Sequence, residues 1–369
     1  MAENPLLRLA ELGQSVWYDN IHRGMLPETL QRMAASDGLR GVTSNPVIFQ
    51  KAICDGQAYD AAIRDALAAT GAGDPEALFE HLAVADIQAA ADVLRPVYEA
   101  EGGQDGFVSL ELSPECAHDA AGSVSEGLRL QRRVDRPNAM IKVPATEAGL
   151  SAVEELTAQG VPVNVTLIFG VARYRQAAAA YQRGLQRRLA AGEPVATPVS
   201  VASLFVSRLD AKVDAQLAAA GAPQALYGRA AIANARCAYA AYREAFHGEA
   251  FGELRAAGAQ PQRLLWASTG VKGERYPETY YVDALAGPET VTTLPPATYE
   301  AYRRDGAPAP RLLEGLDEAP AELERLREAG VDLEGALEAL EAEGVEAFVQ
   351  AHRQLLAALE EKARALATA

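Results

Sequence analysis

The chain has 369 residues, 49% of them apolar and 23% charged, which is enough material for one large core or two small ones. Thirty-four Lys+Arg against 50 Asp+Glu leave a net charge of −16, and such a surface repels nucleic acid and anionic lipid. Half of that charge lies in residues 311–369, which hold 14 Asp/Glu and 6 Lys/Arg. Three scattered cysteines (Cys54, Cys116, Cys237) fit a reducing compartment and no disulfide frame. The opening MAENPLLRLAELG has no basic leader before an apolar stretch, and no apolar run nears the ~20 residues of a membrane span. A cytoplasmic protein is expected.

Eight short β-branched runs follow one another along the chain: 15–21, 39–46, 106–114, 139–146, 161–169, 197–206, 263–269 and 289–295. Between them lie Ala/Leu/Arg/Glu segments of helical period. Asn45-Pro46 and Asp74-Pro75-Glu76 read as helix starts, each pairing an N-cap with a first-turn proline. Gly160 and Gly192 stand where helices should stop. This alternation predicts an α/β fold, most economically a closed (β/α)8 TIM barrel. An open doubly wound sheet is disfavoured because no strand is followed by G-x-G-x-x-G. A barrel needs about 250 residues. The surplus is assigned to a helical insertion after strand two (47–105) and to an acidic extension (311–369) beside a catalytic barrel spanning 1–310. With leucines at helical spacing and glycines at 330, 335 and 344, the extension reads as two or three short helices packed on the barrel.

In a barrel, chemistry sits at the C-terminal ends of the strands. Polar residues fall there on seven strands: Asp19, Thr43 with Asn45, Glu111, Lys142, Asn164 with Thr166, Ser203, and Ser268. Singly, each has a plain structural reading as a cap, a β-former or a small barrel residue. Their convergence points to a site. Lys142 is the pivot, one of only five lysines against 29 arginines, and it lies in the apolar run Ala-Met-Ile-Lys-Val-Pro. A snorkelling lysine at a strand edge is the plain alternative. An ammonium carried into an apolar barrel loses hydration, and the neutral amine that results attacks carbonyls to give a Schiff base. Asp19 and Glu111 would carry the protons. The same two carboxylates could hold Mg²⁺, a weaker reading because imine chemistry needs no cation there. The five histidines show no zinc spacing. Arg208, at the start of the helix after strand six, suits a phosphate, with Lys272 in the next loop as a second cation.

Those residues carry a resemblance. WYDNI (17–21), GVTSNPVIF (41–49), MIKVPAT (140–146), VNVTLIF (163–169), SLFVSRLD (203–210) and LLWASTGVK (264–272) are similar to the motifs of the transaldolase family, over nearly the whole chain. YYVDALAGPETVTTLP (280–295) and the Leu/Glu tail resemble its longer actinobacterial and plant-like branch. The resemblance implies a pentose phosphate pathway enzyme moving a dihydroxyacetone unit from sedoheptulose 7-phosphate to glyceraldehyde 3-phosphate. Erythrose 4-phosphate and fructose 6-phosphate would result, with no cofactor and no metal. It implies Lys142 as the imine lysine, Asp19 as acid/base and Glu111 as a proton relay through water. Asn45, Asn164 and Thr166 would hydrogen-bond the intermediate or its water, with Thr43 in support. Ser203 and Arg208 would hold the phosphate. Many relatives carry a phosphate-binding arginine two residues after the strand-seven serine; here Gly270 stands there, and Lys272 is the substitute. The partners expected are sugar phosphates, with the oligomeric state open, a homo-oligomer included. The rival readings are a fructose 6-phosphate aldolase releasing free dihydroxyacetone and, more remotely, a non-catalytic scaffold barrel.

Overall fold

A computed structural model describes residues 4–54, 56–70 and 74–367. Eight parallel strands close into a barrel in sequence order: β1 (Gln14–Tyr18), β2 (Leu39–Val42), β3 (Phe107–Glu111), β4 (Ala139–Pro144), β5 (Val163–Ile168), β6 (Ser200–Phe205), β7 (Arg263–Ala267) and β8 (Thr290–Leu294). Seven fall within their expected runs, and β1 begins one residue before its own, at Gln14. The helices are α1 (Pro5–Glu11), α2 (Glu28–Ser36), α3 (Pro46–Cys54), α4 (Asp60–Thr70), α5 (Pro75–Ala100), α6 (Ala120–Val134), α7 (Glu147–Ala158) and α8 (Val171–Ala190). There follow α9 (Ser207–Ala219), α10 (Ala230–His247), α11 (Gly252–Ala256), α12 (Tyr280–Ala284), α13 (Pro296–Asp305), α14 (Ala319–Glu328) and α15 (Leu333–Ala367).

The predicted helix signals act as expected. Asn45 Oδ1 accepts from Ile48 N at 3.0 Å at the start of α3, and Asp74 caps α5 by accepting from Glu76 N. Gly160 and Gly192 follow α7 and α8 with φ of +84° and +74°. Three helices fill the stretch after β2, and α5 packs on β3, β2 and α6 as a barrel helix. Residues 55 and 71–73 of that stretch, and both chain ends, lie outside the described residues.

The tail differs from the expectation of short helices. α15 runs for 35 residues straight through Gly335 and Gly344. Gly335 N donates to the Asp332 carboxylate in the first turn, so that glycine sits in a cap. Gly344 is buried, and a Cβ there would stand 3.1 Å from Leu167 and 3.4 Å from Phe169. It lets the helix approach the end of β5, and a sequence pattern does not separate a close-approach glycine from a helix stop.

The lower end of the barrel is sealed by a polar knot. Trp17 Nε1 donates to Asp105 Oδ1 at 2.9 Å, Ser15 bonds the other carboxylate oxygen, and Arg263 donates to Ser15 and to the Gln104 carbonyl. Above it the strand residues are buried and mostly apolar. Polar side chains then gather at the upper end.

Candidate active site

Parallel register aligns the central groups. Glu111 on β3 pairs with Lys142 on β4, which pairs with Asn164 on β5, while Pro144 pairs with Thr166. Three candidate side chains therefore lie side by side on adjacent strands, one residue from each. Lys142 is buried, with 6% of its side chain exposed; its Nζ donates to the Ser44 carbonyl at 3.1 Å and lies 3.4 Å from Glu111 Oε2. It does not snorkel. The Phe348 ring of α15 lies over the ammonium, 5.6 Å from nitrogen to centroid.

Glu111 pays for its enclosure. Burial pushes its carboxyl up to about 7, against the pull of the Lys142 ammonium and a smaller one from His352. Asp19 lies just beyond β1, its N–H bonded to the Leu294 carbonyl. Burial raises its carboxyl above the usual range too, opposed by Lys142 and by a 2.6 Å hydrogen bond from Thr43 Oγ1. Thr43 is 2.8 Å from Thr293 Oγ1, so β2 and β8 both fix the Asp19 side chain. On the opposite wall, Ser203 Oγ donates to Asn164 Oδ1 at 2.7 Å and Asn164 Nδ2 donates to Ser109 Oγ at 3.0 Å. Thr166 Oγ1 is buried with no protein partner among the described residues. The residue after it, Leu167, has φ +59°, and the β5–β6 register shifts here. Such a bulge re-aims a strand end, a common device beside active sites.

An open cavity lies above these groups, lined by Asp19, Thr43, Asn45, Lys142, Thr166 and Ser203, with Phe348 as part of its wall. Ser268, Arg208, Gly270 and Lys272 complete its rim. Arg208 and Lys272 have no ion-pair partner among the described residues; partial burial pulls both below their ordinary values, and Arg208 pulls Lys272 further. Both cations face one cavity, and the Glu343 carboxylate acts on Arg208 without an ion-pair contact. Ser203 is committed to Asn164. The hydroxyls beside Arg208 are those of Ser207 and Ser268, 3.1 Å apart.

A narrow second cleft reaches Glu111 and Asn45 from the α5 and α6 side and is lined by Glu76, Glu80, Glu126 and His352. Of the eleven residues chosen from sequence, nine line the main cavity, Glu111 lines the second cleft, and Asn164 stands behind the wall, bonded to Ser203. Sequence reasoning missed Ser44, Ser109, Thr293, Phe348 and His352. The tail residues carried no signal, since an aromatic on an apolar helix face reads as core.

A family profile described as Transaldolase/Fructose-6-phosphate aldolase matches residues 16–359. The chain belongs to the transaldolase family. It is 46% identical over 354 residues to a transaldolase of Thiobacillus denitrificans, covering 95% of this chain and 98% of that protein. It is also 46% identical over 358 residues to Transaldolase 1 of Streptomyces coelicolor, covering 96% and 93%. Transaldolase 2 of a Nostoc species is 42% identical over 381 aligned positions, covering 99% of both. The resemblance read from the motifs of this transaldolase-family chain thus holds over nearly its full length.

Proposed function

We propose that the chain is a transaldolase of the pentose phosphate pathway, transferring a dihydroxyacetone unit from sedoheptulose 7-phosphate to glyceraldehyde 3-phosphate through a Schiff base on Lys142. The carrying observation is the buried Lys142 amine at the base of an open cavity, with Glu111 at 3.4 Å and Asp19 close enough to act on it electrostatically. Lys142 attacks the ketose carbonyl; Glu111 gives a proton to the departing hydroxyl, and water leaves as the imine forms. Glu111, raised to about 7, holds or releases that proton near neutrality. Thr166 Oγ1 and the amide of Asn164 hold this water and the substrate oxygens. Asp19 takes the proton of the hydroxyl next to the scissile bond, the aldose leaves, and the electron pair rests in the enamine. The acceptor aldehyde reverses these steps and Asp19 returns its proton. Asn45 orients the hydroxyls, while Arg208, Lys272 and Ser268 take the phosphate.

Transfer demands that the enamine wait for its aldehyde without meeting bulk water. Phe348, 6% exposed and over the lysine, supports transfer over release as a free aldolase product. Three cysteines scattered along the chain suit a cytoplasmic setting. Borohydride added with fructose 6-phosphate should leave a reduced adduct on the Lys142 peptide, and Lys142→Ala should abolish it. An adduct elsewhere, or none in the active wild type, defeats the mechanism. Arg208→Ala should raise KM for phosphorylated donors with little change in kcat; an unchanged KM removes it from the anion subsite.

A further inference from the structure

The loop from Ser268 to Thr279 carries Lys272 to the cavity rim. At its start it is tied by Ser207 N donating to the Ser268 carbonyl and by Thr269 Oγ1 donating to the Thr293 carbonyl. Lys272 itself is exposed, and an exposed lysine on a loop has no fixed direction unless the loop is held beyond it. Four residues on, Tyr276 Oη donates to Asp214 Oδ2 at 2.8 Å. Asp214 belongs to α9, the helix whose first turn carries Arg208, and its other oxygen accepts from Gly228 N at 2.9 Å. The Tyr276 ring stacks on Tyr280 at 4.7 Å and 15°, and a Cβ on Gly228 would come within 2.6 Å of that phenol. One turn before Asp214 on the same helix, Asp210 accepts from Tyr281 Oη at 2.9 Å. Two carboxylates of one helix thus hold two tyrosines flanking the end of one loop. The helix brings one cation of the anion subsite and the loop brings the other.

We propose that Tyr276 and Asp214 form a clasp that fixes Lys272 relative to Arg208, so that affinity for the phosphate of the sugar depends on a hydrogen bond made outside the cavity. This rests on the reading of Arg208 and Lys272 as the anion subsite. Neither Tyr276 nor Asp214 lines that cavity, and both are positioning residues. Breaking the clasp leaves Lys142, Glu111 and Asp19 untouched and lets Lys272 sample directions that miss the phosphate.

The test compares steady-state kinetics on fructose 6-phosphate and on unphosphorylated fructose, each with erythrose 4-phosphate as acceptor at saturation. Tyr276→Phe should raise KM for fructose 6-phosphate about three- to tenfold at nearly constant kcat, with kcat/KM for fructose unchanged. Lys272→Ala should raise the same KM at least as much, and adding Tyr276→Phe to it should change nothing further. Asp214→Asn, a milder change that keeps an acceptor, should lie between wild type and Tyr276→Phe. If Lys272→Ala leaves KM unchanged, the anion-subsite reading fails and takes the clasp with it. If Lys272→Ala raises KM while Tyr276→Phe does not, or if their effects multiply, the clasp alone is overturned. A loss of kcat shared by both donors together with a lowered Tm in both clasp variants also overturns it, because general loosening moves both donors alike.

Discussion

Two buried carboxyls of this chain are displaced to about 7, and they make different predictions. Glu111 sits beside the lysine, and the proposed carbinolamine chemistry would use both its protonated and its ionised form. Glu111→Gln should lower kcat by about 10²- to 10⁴-fold and remove the limb near neutrality from the kcat–pH profile. A limb that stays in place belongs to another group. Asp210, far from the amine, is raised by burial to about 7 although Ala231 N and Tyr281 Oη donate to it. Because its folded value lies above its unfolded one, its contribution to stability is full at pH below the ordinary carboxylate range. That contribution is lost as pH rises through about 7. Asp210→Asn should therefore gain on the wild type between pH ~4 and ~7 by on the order of a few kcal/mol, read as the difference in unfolding free energy at the two ends. A difference that does not change with pH would free Asp210 of any burial cost. The variant should also keep the kinetic limb that Glu111→Gln removes.

At the scale of elements, the β4–α7 turn has the least freedom near the site. Thr146 caps α7 by accepting from Gly149 N at 2.9 Å, and its own hydroxyl donates to the Ala117 carbonyl. A Cβ on Gly149 would lie 1.9 Å from the Pro144 carbonyl oxygen, two residues beyond Lys142. Backbone must move to admit it. Gly149→Ala should cost at least about 2–3 kcal/mol in denaturant unfolding and lower kcat more than substrate affinity, since β4 carries the amine. Wild-type stability in that variant would mean the turn relaxes freely. The same element shows why so much was readable from sequence. Ala-Met-Ile-Lys-Val-Pro is a strand in which one residue type disagrees with its surroundings, and the proposed chemistry rests on that disagreement. Strand ends, proline-led helix starts and positive-φ glycines are local signals, so all eight strands and their order were legible. Gly344 and Phe348 were not, because what matters about them is the distance to β5 and Lys142 across nearly 200 residues of chain. The clasp was equally hidden: nothing in the spacing of Asp214 and Tyr276 says that they meet.

At the scale of the molecule, α15 ties the barrel top together. Thirty-five residues at 1.5 Å each make a rod of about 50 Å. It packs on α3, α4, α5, α9 and β5. Arg173 of α8 clamps Glu341 through two hydrogen bonds, Lys212 of α9 meets Glu343, Arg353 meets Glu115, and Lys362 meets Asp60 of α4. These pairs, exposed or half-exposed except for the more enclosed Lys362–Asp60, are each worth little, about 0–1 kcal/mol where solvent reaches them. The holding force is the buried seam of Leu340, Val345, Phe348, Leu355 and Leu359. A helix fixed along its whole length by so many elements is a standing wall of the cavity, and removing one side chain opens the wall without unseating the rod. Phe348→Ala should therefore let water reach the enamine. Free dihydroxyacetone released from fructose 6-phosphate without acceptor should rise relative to transfer, while the borohydride adduct on Lys142 still forms. Leu359→Ala removes a comparable apolar group from the same seam, well away from the lysine, and should cost about 2–5 kcal/mol of stability with the same partition as wild type. If both variants raise release equally, loosening of the helix explains the leak. If neither does, the intermediate is shielded by something other than the tail, and the aldolase–transferase balance must be set within the barrel itself.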